Sequence, residues 1–300
     1  MTLHAIVAAF GGDLYQGGWR ANVPAPGHSA DDRSVSLLLA EGRVIIHGFG
    51  AADWREVRDL LRSSGFVDDA GRLTGAGRAG PLAPKPDRRL RLDTARRLWD
   101  GGVGLTSADP AARHMRHRAV VGDLNASGLR FHPSAPISVY REGSRSRPAF
   151  VARISDADDA LTAVELTYLE SNGLVAAGLT LSRKTVGVVP PGAAVRLSPS
   201  AAEMLVGEGV MTTLSAIDRF QLAGWALMSA NNLAVWTPPP EVRRLLIAAD
   251  RGAVGQGAAW RLRRRLVRTG IAVRMLWPGP PFGDWNEVAC AARKREERGR

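Results

Sequence analysis

The spacing of apolar positions changes character along the chain. Near the start, Ser34-Val35-Ser36-Leu37-Leu38-Leu39 and Arg43-Val44-Ile45-Ile46-His47 flank Ala40-Glu41-Gly42 and predict a hairpin. A helix follows, with Asp53 as its N-cap and Trp54, Val57, Leu60 and Leu61 on one face. The segment GRLTGAGRAGPLAPKPDRR from Gly71 to Arg89 has little to bury and reads as linker. Beyond it, Leu92, Ala95, Leu98 and Trp99 recur at helical spacing, and a second helix is expected from Ala111 to Val121. Period-two runs at Ile137–Tyr140, Ala149–Ile154 and Thr162–Leu169, divided by turn residues, predict an antiparallel sheet.

After Pro190-Pro191-Gly192 the pattern becomes alternating strand and helix. Strands are expected at Met204–Val206, Gly224–Met228, Leu245–Ala249 and Ala272–Leu276. Helices are expected at Val210–Arg219 and Ala253–Arg268, with a short helical approach at Glu241–Arg244. Leu262, Leu266 and Trp260 are taken to face the core, leaving the arginines of Arg261–Arg268 outward. Repeated β-α units with right-handed crossovers make a mostly parallel sheet covered by helices. The chain therefore reads as α/β, in a multi-domain α+β arrangement. A small β domain (1–66) and a linker (67–90) precede a helical and antiparallel part (91–195). A mostly parallel α/β domain (196–290) and a disordered tail (291–300) complete it.

Composition narrows the functional classes. With 45% hydrophobic residues in 300, the chain can bury a substantial core. A formal charge of +11, much of it arginine, favours a polyanionic partner, nucleic acid first. No apolar run reaches the roughly 18 residues of a spanning helix, and the start MTLHAIVAAFGGDLY lacks a secretory pattern, so a cytoplasmic location without membrane partners is expected. The single cysteine, Cys290, allows no internal disulfide and no cysteine-based zinc cluster.

Parallel sheets place their chemistry at the carboxyl ends of their strands. Glu208 leaves one expected strand in a Gly-flanked turn, Asp250 closes another, and Asp284 follows the last in Phe282-Gly283-Asp284-Trp285-Asn286-Glu287. Any one of these acids serves equally as a helix cap. Grouped, they suit a hard cation such as Mg²⁺.

The text MLVGEG ending in Gly209, Asp250-Arg251-Gly252 and GDWNEV (Gly283 to Val288) resembles the Toprim domain, a module of bacterial-type primases, topoisomerases and some nucleases. With LRFHP (Leu129 to Pro133), Gly207–Ala216 and Met228–Ala234, most of the chain is similar to the primase-like Toprim proteins of phages and mobile elements. The resemblance implies that Glu208 is the catalytic acid/base, that Asp250 and Asp284 hold Mg²⁺ or Mn²⁺, and that Arg183 and Lys184 contact phosphate. Arg251, a cation beside the site by its own position, opposes metal binding and is expected to bind phosphate directly. Single-stranded DNA and nucleotides are the implied partners, with a replicative helicase as a further one.

Two departures stand out. The family's Asp-x-Asp is here Asp250-Arg251-Gly252, an acid lost and a cation gained, which implies reduced or altered catalysis, with Glu287 or a water filling the gap as the milder outcome. In the family's N-terminal zinc ribbon, Val23, Gly48 and Ala52 stand where cysteines belong, leaving His28 and His47, so the ribbon shape without zinc is expected. Two further readings stay open: a non-catalytic nucleic-acid-binding replication accessory protein and a Toprim nuclease.

Overall fold

The protein is represented by a computed structural model that describes residues 2–26, 28, 32–49, 54–75, 86–122, 124, 126–140, 143–179 and 181–299. The chain divides into two compact units, Met1–Lys85 with Gly178–Leu181, and Pro86–Ala177 with Ser182–Arg300. Asp53, Ala52 and linker residues 76–85 lie outside the described residues.

The first unit begins with helix α1 (His4–Phe10). Its four strands β1 (Asp13–Tyr15), β2 (Arg20–Val23), β3 (Val35–Ala40) and β4 (Arg43–Gly48) pair antiparallel in sequence order. Strict alternation on β3 buries Val35, Leu37 and Leu39, which meet Val57 and Leu61 of α2 (Trp54–Ser63) and Leu3 and Ile6 at the start of the chain. Residues at the expected zinc-ligand positions are otherwise engaged. Val23 is core, His28 Nδ1 lies 2.9 Å from Asp32 Oδ2, and the His47 ring packs edge-on against Phe49.

The second unit opens with α3 (Arg88–Asp100) and α4 (Pro110–His117), each started by an aspartate, Asp87 or Asp109, that accepts a backbone N–H at 2.7 Å. The helix α4 stops short of the expected Val121 because Ala119 takes a left-handed conformation, φ 52°. An antiparallel sheet follows in the order β5 (Leu129–Pro136), β6 (Ser146–Ser155), β7 (Leu161–Tyr168) and β8 (Arg183–Gly187). The first strand is therefore Leu129–Pro136 and not Ile137–Tyr140. Pro133 and Pro136 obscure it in the sequence, and both are tolerated because β5 is an edge strand.

The remaining elements are β9 (Val195–Arg196), β10 (Glu203–Gly207), α5 (Val210–Phe220), β11 (Ala223–Ala226), α6 (Ala230–Val235), β12 (Arg244–Ala248), α7 (Ala253–Val267), β13 (Ala272–Leu276) and α8 (Trp285–Arg298). Their sheet runs β13-β12-β10-β11-β9, parallel except for β9. The boundary drawn at 195/196 thus falls inside a strand of this sheet. Both faces are covered, as continuous apolar strands require. Met204, Val206, Leu245 and Ile247 pack under α6 and α7, while Leu205, Leu246 and Ala248 meet Ala216 of α5 and Trp285 of α8.

Three expectations need correction here. Glu241 ends a turn, Val242 and Arg243 run without helix into β12, which begins at Arg244, and a short helix lies earlier as α6. Residues 291–298 are not a disordered tail but the last turns of α8, supported by an i,i+4 pair of Arg293 with Glu297 at 2.8 Å. Trp260 is 50% exposed and does not face the core. Ala258, Ala259, Leu262 and Leu266 fill the buried stripe of α7, and at 100° per residue Trp260 falls almost opposite to it.

Candidate active site at the strand ends

β10 and β12 are adjacent and parallel, with Gly207 opposite Ala248. Glu208 and Asp250 therefore leave neighbouring strands at the same edge of the sheet. The N–H of Ala230, at the start of α6, donates to the Glu208 carboxylate. Burial pushes that carboxyl above its ordinary range and the Ala230 bond opposes the rise. The main chain of Glu208 is fixed as well, its carbonyl accepting from Met228 N at 2.7 Å.

Asp250 is the most perturbed acid of the site. Burial, then the charges of Glu208, Asp284 and Glu287, push its carboxyl up to about 7. Its Oδ1 is buried and has no hydrogen-bond partner. Behind it, Gly255 in the first turn of α7 approaches so closely that a Cβ there would stand 3.3 Å from the Asp250 carbonyl oxygen.

The loop bearing Asp284 is held against Asp250 by Arg251. Arg251 N donates to Gly283 O and Arg251 Nε to Pro278 O, each at 2.7 Å. Asp284 itself is the N-cap of α8, accepting from Glu287 N at 2.7 Å, and Glu287 Oε2 accepts from Gly283 N at 2.7 Å. Four acids thus converge on one edge, two of them also holding the end of α8.

This cluster suits a hard cation bound through one or two carboxylates with water or phosphate completing its shell. The orphaned Asp250 oxygen is the acceptor such an ion needs. Among the described residues no group of three or more His, Cys, Asp or Glu is placed to hold a metal ion by itself, so water and phosphate would have to complete the shell of an ion at these acids. Asp250 and Asp284 are the residues that would hold the ion, with Glu208 beside them.

Gly252 has φ 136° and ψ 149°, a backbone region essentially reserved for glycine. A Cβ there would meet nothing within 4 Å, so the restriction is conformational and not steric. Gly252→Asp is expected to destabilise the fold by about 1–3 kcal/mol. Denaturant unfolding checks this, with Gly252→Ala as the partner variant. Equal loss in both assigns the effect to the backbone, whereas a neutral Gly252→Ala would show that charge alone matters.

The basic residues separate. Arg183 and Lys184 are consecutive on β8, opposite Thr167 and Leu166, so they project from opposite faces. Lys184 Nζ donates to Ile137 O at 2.7 Å and lies 5.2 Å from the Tyr168 ring centroid, and burial lowers its pKa. Arg183 is exposed, near the Glu165 carboxyl, which burial pushes up and Arg183 pulls down. Sequence reasoning passed over Glu165, Gly255 and the Ala230 N–H. Only Glu165, an acid within an apolar strand, left a visible signal.

An α/β domain with acids at the carboxyl ends of adjacent parallel strands defines the class. Residues 203–294 match the Toprim domain family, the resemblance that MLVGEG and GDWNEV carry in the sequence. Residues 89–197 match a domain of unknown function, DUF7146. No curated protein matches the chain. Among solved structures it is similar to the Aquifex aeolicus primase (zinc-binding and RNA polymerase domains), 14% identical over 95% of this chain and 79% of that one, TM-score 0.46. The DnaG catalytic core is 14% identical over 69% and 79%, TM-score 0.48. The primase fragment of the bacteriophage T7 primase-helicase is 12% identical over 93% and 97%, TM-score 0.41. Among the described residues no helix is long and apolar enough to cross a membrane.

Proposed function

We propose that this Toprim protein is a primase-like nucleotidyltransferase that acts on single-stranded DNA with Mg²⁺ or Mn²⁺ in the replication of a phage or mobile element. The observation that carries the reading is the convergence of Glu208, Asp284 and Glu287 on Asp250, at the ends of β10 and β12. Such a concentration of negative charge raises the energy of the empty site and favours a cation bound with nucleotide phosphates.

Bound there, the divalent ion supplies charge stabilisation at phosphate and at the attacking oxygen. Glu208, oriented by the Ala230 N–H and made more basic by burial, accepts the proton of the attacking hydroxyl in its ionised form. Asp250 and Asp284 anchor the ion, and Arg251 keeps their two loops together. Arg183 contacts phosphate from the exposed face of β8, and Lys184 holds that strand to Ile137 from the other face. On this reading residues 91–195 and 196–290 form the synthetic core, 1–66 a metal-free N-terminal module, and a replicative helicase a further partner.

The test is templated incorporation of labelled ribo- or deoxynucleotides on single-stranded DNA with Mg²⁺ or Mn²⁺. Template-dependent product is expected. If wild-type protein binds the strand in a salt-dependent manner yet makes no product, a non-catalytic replication accessory role replaces the enzyme. The glycine-only backbone at position 252 favours that second reading, because a second acid cannot be seated there without strain.

A further inference from the structure

The outward surface of α7 does not belong to the acidic site. Its buried stripe is Ala258, Ala259, Leu262 and Leu266, and opposite that stripe stand Trp260, Arg264 and Val267, flanked by Arg261, Arg263 and Arg268. Trp260 is 50% exposed and Val267 48%. The Arg263 guanidinium lies over the Trp260 ring, 5.5 Å from its centroid, and the Trp277 ring centroid lies 6.4 Å away, tilted by 37°. The helix carries no acidic residue. Arg265 is committed to the Trp236 carbonyl and the Thr237 hydroxyl. Arg261, Arg264 and Arg268 enter no ion pair among the described residues.

We infer that this face of α7 binds single-stranded nucleic acid, with a base stacked on Trp260 and phosphates held by Arg261, Arg264 and Arg268. A propped, half-exposed indole between unpaired guanidinium groups meets both needs of a single strand, a flat apolar partner for a base and cations for the backbone. A duplex keeps its base faces covered, so Trp260 gains nothing from it. An acidic peptide satisfies the arginines but gives the indole no flat partner. Gly257, one turn before Arg261, lets the Arg261 guanidinium lie close against the helix, where a Cβ would stand 3.5 Å from it. Trp260 lies about 12 Å along the axis from Gly252 at the acidic site, taking 1.5 Å per residue. A strand on this face therefore leads toward Asp250. The binding itself does not depend on nucleotide transfer.

Fluorescence anisotropy with labelled oligo-dT and oligo-U tests the inference on the full chain, with heparin as a polyanion without bases. Trp260→Ala is expected to weaken oligonucleotide binding about tenfold, the worth of one stacked base, and Trp260→Tyr to restore most of it. Arg261→Glu with Arg264→Glu is expected to reduce the slope of log affinity against log salt by about 1.4, at about 0.7 per phosphate contact on a single strand. A preference for oligo-dT or oligo-U identifies which strand the face takes, and either supports the inference. Unchanged affinity in these variants overturns it, as does equal weakening of heparin binding by Trp260→Ala or equal weakening for duplex. Arg268→Gln, a milder change at the solvent surface, serves if the double variant does not fold, and unchanged oligonucleotide affinity there also counts against the inference. Glu208→Gln is expected to bind oligonucleotide as wild type does, so loss of synthesis with this surface intact separates the catalytic proposal from this one.

Discussion

Glu208→Gln is expected to lower template-dependent nucleotide incorporation by about 10²–10⁴-fold, the range associated with a positioned acid/base group. The substitution is nearly isosteric. Its amide oxygen can still accept from the Ala230 N–H, and the main chain remains held by the bond from Met228 N to Glu208 O at 2.7 Å. The variant also removes one of four acids that repel one another around Asp250, so its unfolding midpoint should equal or exceed that of wild type. Activity and stability thus move in different directions, which distinguishes a chemical role from a structural one. The measurement is single-turnover extension at saturating template, paired with thermal unfolding in the same buffer. Retained extension would remove Glu208 from the chemistry and leave it as a half-buried acid that orders the start of α6.

The sheet that builds this site was legible because parallel strands covered on both faces read as unbroken apolar runs, as Met204–Val206 and Leu245–Ala249 do. Acids directly after such runs were therefore visible as strand-end residues. What brings Asp284 to Asp250 was not visible. It depends on Arg251, whose N–H and Nε grip Gly283 and Pro278, residues far along the chain with no local signal. The backbone of Gly252 was equally hidden, since a glycine in text shows permission for a left-handed angle but not its use. That angle changes the meaning of the missing acid. The turn uses a glycine-only backbone at position 252, and aspartate there would strain the main chain. Trp260 was misplaced for another reason: a large aromatic near leucines suggests core, yet strict helical periodicity puts it on the far side of α7. Lys184 lost its expected equivalence with Arg183 through the alternation of β8, which only the strand assignment makes apparent.

Asp250→Asn should stabilise the protein at pH 8 in the absence of divalent cations, by about 2 kcal/mol, and the gain should fade toward pH 4. The sign follows from linkage. In the folded chain the Asp250 carboxyl is pushed up to about 7 from its ordinary 3.8, so between these values the folded state binds the proton more tightly than the unfolded state does. The neutral carboxyl's contribution is complete below about 3.8 and is lost as pH rises to about 7. A rise of roughly three pKa units sets a ceiling of about 4 kcal/mol. Asp250 is partly exposed, and screening by solvent reduces this to about half. Asparagine escapes the loss because it stays neutral, and its amide offers a donor to the surrounding carboxylates of Glu208, Asp284 and Glu287 where wild type offers only another charge. A bound cation reverses the comparison. It binds the ionised folded form and stabilises wild type by mass action, whereas the variant has lost an anionic ligand and gains less. Unfolding free energies at several pH values, with and without Mg²⁺, should therefore show two effects: a wild-type stability that declines from pH 4 to 7 without the ion, and a larger Mg²⁺ increment in wild type than in Asp250→Asn. Parallel pH profiles for the two proteins would remove the electrostatic strain at this strand end, and with it the physical basis for a cation there. A decline in stability without a Mg²⁺ increment would leave a strained acidic edge that takes no ion, which is what the accessory reading requires.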